Sequence, residues 1–112
     1  MEATMTQKIN FVMVSTTVDN EALARELADA IVASRLAACV QYTSVFSTYR
    51  WQGAVERADE YLLLAKTRAS LADQLSAFIK EHHSYEVPEI IVTPIIGGFK
   101  AYLDWISSET EG

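Results

Sequence analysis

The sequence predicts an α+β domain built on a four-stranded antiparallel sheet, and three observations predict it. Two long runs rich in β-branched and aromatic residues meet at Trp51-Gln52-Gly53, which is typical of a β-hairpin. Two other segments repeat their apolar residues at helical spacing. Short apolar runs near both ends of the sequence supply the remaining strands.

The first part of the chain predicts a strand followed by a helix. Residues 1–8 are mostly polar and are expected to form a flexible tail. The apolar run 9–14 predicts a central strand that is buried on both faces. A loop over 15–19 ends at Asp19, whose carboxylate is expected to cap a helix over 20–35.

The long hairpin extends from Leu36 to Thr67 and turns at Gly53, where a positive φ carries no Cβ penalty. Each arm has roughly a dozen residues and so spans about 40 Å, whereas a domain of this size has a radius of gyration near 13 Å. The tip is therefore predicted to project beyond its own core. It carries large apolar side chains, namely Phe46, Tyr49, Trp51 and Val55. Such a tip predicts oligomerisation through the hairpin.

The second half of the chain predicts a helix, a strand and a last helix. Apolar spacing predicts a helix over 68–83 and, after Gly97-Gly98, a short one over 99–107. The strand over 89–96 contains Pro94, which places it at a sheet edge or ends it there. Residues 108–112 are acidic and are expected to fray. The resulting order, βαββαβ with an extra C-terminal helix, is the ferredoxin-like arrangement.

Composition excludes several classes of protein. The 112 residues are expected to form one domain, 1–112. A net charge of −6 without a local basic patch argues against nucleic-acid binding. No apolar run approaches the roughly 20 residues that span a bilayer, so no membrane partner is expected. The single cysteine and the polar first residues predict a cytoplasmic protein.

The sequence contains no motif that predicts catalysis. A nucleophile elbow, a phosphate-binding glycine loop, a Cys-x-x-Cys and a His-Glu-x-x-His are all missing. The prediction is therefore a protein that is not an enzyme.

Three residues could bind a soft metal. Cys39 offers a thiolate, but its apolar surroundings more often hold a small core residue. His82 and His83 offer imidazoles. Neighbouring residues on a helix diverge by about 100°, so both reach one ion only if the helix ends before them. The alternative is that they interact with the negative end of the helix dipole.

Polar and aromatic side chains suggest a ligand cleft as well. Lys66 with Glu60 or Glu89 could form a polar cluster, and a structural salt bridge explains the same residues equally well. Aromatic side chains that could line a pocket, or belong to the core or an interface, are Trp51, Tyr85, Tyr102 and Trp105.

Five blocks of the sequence, taken together, resemble the CutA divalent-cation-tolerance family over residues 9–107. They are Leu36-Ala37-Ala38-Cys39-Val40, Tyr49-Arg50-Trp51-Gln52-Gly53, Glu60 with Lys66-Thr67, His82-His83-Ser84-Tyr85-Glu86-Val87-Pro88-Glu89-Ile90, and Tyr102-Leu103-Asp104-Trp105. The resemblance implies a ferredoxin-like homotrimer whose architecture is similar to that of the PII signalling proteins. It also implies copper, or another divalent metal, as the ligand.

The family's proposed copper ligands carry over in part. The paired histidines correspond to His82 and His83, whereas Ser15 stands where the family has a cysteine at the end of the first strand. A neutral hydroxyl is a much poorer ligand for a soft cation than a thiolate. Weaker copper binding, a harder ion or disuse of the site are the expected consequences.

Three hypotheses follow from the sequence. The first is a trimeric protein of copper or divalent-cation tolerance that binds metal near His82 and His83. The second is a PII-like signalling module that binds an anionic or nucleotide-like molecule between subunits, in a cleft containing Cys39, Trp51, Glu60, Lys66 and Glu89. The third is a structural trimer with an indirect effect on metal tolerance.

Overall fold

A computed structural model describes residues 8–111 and contains one antiparallel sheet with the strand order β2-β3-β1-β4. The elements in chain order are β1 (Phe11–Val18), α1 (Glu21–Ala33), β2 (Cys39–Trp51), β3 (Ala54–Arg68), α2 (Ala72–His82), β4 (Ile90–Ile95) and α3 (Lys100–Glu109). A single 3-10 turn, Ala69–Leu71, precedes α2. This order confirms the predicted α+β, ferredoxin-like fold with a C-terminal helix.

The core lies between the sheet and the helices α1 and α2. Its centre is formed by fully buried aliphatic side chains of both layers, namely Val14, Val18, Ile31, Leu63, Leu75 and Ile79. No helix within residues 8–111 is long and apolar enough to cross a membrane.

Strand β1 differs from its prediction in length and in burial. It is central, as predicted, because it pairs with both β3 and β4. It nevertheless continues through the expected loop to Val18, because the polar residues Ser15, Thr16 and Thr17 take their ladder partners from β3. From Phe11 to Thr16, half-buried side chains alternate with buried ones, so only one face of β1 is fully buried in the single chain. The prediction of two buried faces is therefore wrong for the single chain.

Helix α1 is shorter than the predicted 20–35. Its N-cap is Asn20, whose side chain accepts a hydrogen bond from the Leu23 N–H over 2.8 Å, so Asp19 is not the cap. At the other end Arg35 has φ 61°, and the N–H groups of Arg35 and Leu36 donate to the carbonyls of Val32 and Ile31. This is the Schellman ending, here with an arginine in the position that glycine usually occupies.

The hairpin matches its prediction. Strands β2 and β3 have 13 and 15 residues and are joined by Gln52 and Gly53, which both have positive φ, 51° and 82°. Two such residues form the turn type that suits the right-handed twist of a two-strand ribbon. Strand β1 pairs with β3 only over 61–68. Residues 54–60 pair with β2 alone, and this part of the hairpin projects past the core.

The C-terminal helix is longer and better anchored than predicted. Its last residues are Ser108 and Glu109, and Thr110 is only 2% exposed. The predicted fraying of residues 108–112 is therefore wrong for residues 108–110. Arg68 explains the difference, because its guanidinium donates to the Thr110 side-chain oxygen over 2.9 Å and to its carbonyl over 2.7 Å. Residues 1–7 and 112 of the predicted tails lie outside the described part.

Helix α3 lies on the sheet face opposite α1 and α2. Arg68 and Lys66 project from that face, because they pair with Phe11 and Met13, the residues that alternate with the core positions of β1. Tyr102 of α3 accepts a hydrogen bond from Lys66 over 3.4 Å. The rest of this face carries no helix within residues 8–111, and it bears half-exposed apolar side chains such as Ile91.

Candidate functional site

The two histidines at the end of α2 face different elements. His82 closes the helix, and its Nδ1 atom donates to the Phe78 carbonyl oxygen over 2.9 Å. Its ring stacks on the Phe78 ring with centroids 4.2 Å apart. The Nε2 atom makes no hydrogen bond within residues 8–111, and the residue is exposed. His82 therefore offers one free nitrogen lone pair to solvent.

His83 has both ring nitrogens engaged. Its Nε2 atom lies 2.8 Å from the Thr17 carbonyl oxygen, which can only accept, so Nε2 carries the proton. Its Nδ1 atom accepts from the Tyr85 N–H over 3.0 Å. A metal would have to displace one of these hydrogen bonds. Helix α2 includes His82 and ends before His83, so the condition that it end before both histidines is met only for His83. The His83 ring joins the segment after α2 to β1.

The ligand set implied by the resemblance is not assembled within the described chain. Ser15 lies in the middle of β1 rather than at its end, opposite Leu64 of β3 and Ile91 of β4. Cys39 begins β2 opposite Lys66. Among residues 8–111 no group of three histidine, cysteine, aspartate or glutamate side chains is placed to hold a metal ion.

A cavity of about 660 Å³ opens between the projecting hairpin and the segment that joins α2 to β4. The hairpin wall consists of Ser47, Thr48, Tyr49 and Trp51. Five of the lining residues lie on one sheet face because they alternate along the strands in register, namely Thr17, Ser47, Tyr49, Trp51 and Glu60. Pro88 keeps the residues before it out of helical geometry. This extended segment forms the opposite wall of the cavity, to which it contributes Tyr85 and Glu86.

Glu60 and Tyr85 form the polar centre of this cavity. Glu60 is 8% exposed, and its Oε2 atom accepts a hydrogen bond from the Tyr85 hydroxyl over 2.7 Å. Burial, and next the hydrogen bond to the Glu60 carboxylate, raise the pKa of Tyr85 far above its ordinary value. The phenol therefore stays protonated and keeps donating. The Tyr85 ring lies 4.9 Å from the ring of His83, centroid to centroid.

The cavity has an acidic lining. Three carboxylates contribute to it, those of Glu60, Glu86 and Glu89, and none of its lining residues within 8–111 is a lysine, arginine or histidine. The electrostatic potential inside therefore attracts cations and repels anions.

The structure brings together only part of the cleft that the sequence suggested. Trp51, Glu60 and Glu89 line the cavity, whereas Lys66 and Cys39 face each other across β2 and β3 elsewhere in the sheet. The Lys66 ammonium lies 5.5 Å from the centroid of the Tyr102 ring instead. No salt bridge joins Lys66 to either glutamate.

Sequence reasoning missed several lining residues. Ser47, Thr48 and Thr17 carry no signal of their own, because small hydroxyl side chains are common in strands. Glu60 did give a signal, since a carboxylate in the middle of an apolar strand is unusual. Tyr85 was one of four aromatic candidates, and only its contact with Glu60 distinguishes it.

Comparison with known proteins identifies the family. The family model of the CutA1 divalent ion tolerance protein matches residues 12–109. A curated relative from Thermus thermophilus, named divalent-cation tolerance protein CutA, is 45% identical over 95 residues, covering 84% of this chain and 92% of its own length. The chloroplastic protein CutA 1 of Oryza sativa is 41% identical over 111 residues, which cover 98% of this chain.

The chain spans only about half of the length of some plant and mammalian relatives, 62% of the rice protein and 54% of the human one. Among solved structures, the periplasmic divalent cation tolerance protein CutA of Archaeoglobus fulgidus superposes with a TM-score of 0.88 at 32% identity. The alignment covers 90% of this chain and 99% of that one. With this fold and these matches, the chain belongs to the CutA1 divalent ion tolerance family.

Proposed function

We propose that the protein acts in divalent-cation tolerance as a homotrimer that binds copper, or another divalent metal, through His82. Family membership over residues 12–109 supports the tolerance role. The observation that carries the metal assignment is the exposed His82 imidazole, whose Nε2 atom has no hydrogen-bond partner within residues 8–111. Imidazole nitrogen is a common copper ligand, and copper(II) binds most tightly among the first-row divalent ions.

His83 and Ser15 have lesser roles in this proposal. The proton on Nε2 of His83 and the hydrogen bond to Nδ1 leave no free lone pair on that ring. The Ser15 hydroxyl is a poor ligand for a soft ion. One imidazole per chain leaves the other coordination positions to water or to a second subunit. The proposal is a binding function and contains no catalytic step.

Exposed apolar surface supports assembly of several copies. The projecting hairpin exposes 88% of Phe46 and 54% of Val55, and β4 exposes 51% of Ile91. Phe46 and Val55 lie on the sheet face that carries α1 and α2, and Ile91 lies on the helix-free face. Large exposed apolar side chains on a small domain are typical of protein interfaces. Copies that pack their helix-free sheet faces and hairpins against one another would bury them.

The acidic cavity of the single chain gives no support to the PII-like alternative, which places its ligand between subunits. An anionic or nucleotide-like ligand needs positive charge, yet Lys66 lies outside the cavity and three carboxylates line it. We therefore do not propose an anion site there.

The compartment stays a prediction. The sequence favours the cytoplasm, while the names of two relatives specify the chloroplast and the periplasm. Fractionation of cells that express the native chain would test it.

Native mass spectrometry tests the proposal. Metal-free protein should form a trimer and take up copper(II) when one equivalent per chain is added. His82→Ala should keep the trimer and lose the copper, whereas Glu81→Ala, at the neighbouring exposed position of α2, should keep both. Copper retained in full by His82→Ala, or a native trimer that stays bare, would contradict the metal assignment.

A further inference from the structure

The two neighbouring histidines are held in opposite tautomers. The Nδ1 atom of His82 donates to the Phe78 carbonyl oxygen, so its Nε2 atom keeps a lone pair. His83 has the reverse arrangement, because its Nε2–H donates to the Thr17 carbonyl oxygen and its Nδ1 accepts from the Tyr85 N–H. Within residues 8–111, Nε2 of His82 is therefore the ring nitrogen whose lone pair is available to a metal ion.

The Phe78 carbonyl group determines which nitrogen of His82 is exposed. A neutral imidazole has one N–H, and the hydrogen bond made by one nitrogen decides which nitrogen can bind a metal. The Nδ1 atom lies 2.9 Å from the Phe78 oxygen, which lies one turn earlier in α2. Carbonyl groups in the last turns of a helix lie near the negative end of its dipole, which favours this donation. An imidazole that donates its other N–H to a carbonyl group is also a more basic metal ligand.

The Phe78 side chain makes a second contact with the same imidazole. Its ring is stacked on the His82 ring, with centroids 4.2 Å apart and 25° between the planes. Phe78 is half-buried and packs against the core, so its own position is fixed. The χ2 angle of a histidine is broad and roughly two-fold, and a half-turn about it would replace Nδ1 by Cδ2 at the carbonyl oxygen. The stack fixes the plane of the imidazole, and the hydrogen bond fixes the edge that faces the helix.

A role for Phe78 in core packing alone does not account for this geometry. Core packing needs an apolar side chain of suitable volume, and it does not need a ring that is stacked on an exposed imidazole. Coordination to a divalent ion draws electron density from an imidazole. The negative face of an aromatic ring favours the positive charge that results.

We propose that Phe78 is the positioning residue of the metal site. Its carbonyl oxygen and its ring together hold the His82 imidazole in the tautomer and orientation that present Nε2 to the metal ion. This inference rests on the proposed function for its metal, whereas the tautomer is a property of the metal-free chain. A ligand that is already ordered does not lose this freedom when the metal binds, which favours affinity.

Two-bond nitrogen–proton NMR spectra of the metal-free native protein test the tautomer. At about pH 8, where histidine side chains are mostly neutral, His82 should show the Nδ1–H pattern and His83 the Nε2–H pattern. Phe78→Leu keeps an apolar side chain without a ring. In this variant the His82 signals should move toward an average of the two tautomers, while the His83 signals stay unchanged. An Nε2–H pattern for His82 in the native protein, or an unchanged pattern in Phe78→Leu, would overturn the proposal.

Calorimetric titration with copper(II) tests the consequence for metal binding. Loss of the groups that orient a metal ligand typically weakens metal affinity by about 10–100-fold, so we expect Phe78→Leu to bind copper at least about tenfold more weakly than the native chain. Phe78→Tyr keeps the stacked ring and should restore the native affinity. Leu71→Val trims an apolar side chain in the turn that precedes α2, and this control should bind as the native chain does. Equal copper affinity of Phe78→Leu and the native chain would refute the positioning role.

A second variant keeps the test decisive if Phe78→Leu does not fold. Phe78→Met fills the space with a flexible side chain that has no ring, and the same changes in tautomer and affinity are expected for it. A native chain that takes up no copper would contradict the proposed function. The tautomers of the native chain and the variant would still decide whether Phe78 positions His82, which separates the two results.

Discussion

The Nε2 atom of His83 lies 2.8 Å from the carbonyl oxygen of Thr17 and joins the chain after α2 to the end of β1. Together with the hydrogen bond from the Tyr85 N–H, it gives His83 a structural role that His82 does not share. Replacing His83 with alanine should therefore lower the free energy of unfolding by about 1–3 kcal/mol, because a partly buried carbonyl and N–H lose their partner.

His82→Ala is the matched control for this effect. Its ring is exposed and bonds only within its own helix, so the free energy of unfolding should change by no more than about 0.5 kcal/mol. Urea unfolding of both variants, followed by circular dichroism, measures the difference. Equal destabilisation by the two substitutions would refute the separate roles.

Tyr85 should make stability depend on alkaline pH. Folding raises its pKa, through burial first and the hydrogen bond to Glu60 second, so the unfolded chain releases this proton at a lower pH than the folded chain does. The contribution of the protonated Tyr85 to the free energy of unfolding is fully present below the ordinary tyrosine pKa of about 10. It is lost as the pH rises above that value.

Thermal unfolding between pH 9 and 11 checks this sign. The melting temperature of the native protein should fall over this range more steeply than that of Tyr85→Phe, which has no proton to release at this position. Parallel curves for the two proteins would show that the Tyr85 phenol does not contribute.

The contact between Arg68 and Thr110 should anchor α3. Arg68→Ala removes two hydrogen bonds to a residue that is 2% exposed, so we expect a loss of about 1–3 kcal/mol and faster amide exchange in α3. Lys100→Ala is the control on the same helix. Its 2.8 Å salt bridge with Asp104 has side chains that are 88% and 63% exposed, and its loss should have little effect. Similar effects of the two variants would contradict the anchoring role.

The hairpin tip should determine assembly. Phe46 is 88% exposed in the single chain, and Phe46→Ser should weaken the proposed trimer because aromatic side chains dominate the energetics of interfaces. Sedimentation at decreasing concentration should show dissociation at a higher concentration than for the native protein. Thr48→Ser, on the same strand, is the control that should leave the trimer unchanged.

Local signals predicted most of the fold, whereas distant contacts determined most of the site. Gly53 and the β-branched arms predicted the hairpin, because a two-residue turn and strand propensity are local properties. The last residues of β1 were predicted as a loop because Ser15 and Thr17 are polar. Pairing with the neighbouring strands, which the local sequence does not show, extends β1 through these residues. His83 contacts a residue 66 positions away, which no spacing rule shows.

The sheet ends in two strands, β2 and β4, that have different lengths and sequences and no outer neighbour within residues 8–111. If copies associate by placing the β2 edge of one beside the β4 edge of the next, each contact joins two unlike surfaces head to tail. Such contacts close into a ring when a whole number of equal rotations between copies completes a full turn, as in a threefold assembly. A single substitution on either edge would then alter every contact of the ring equally.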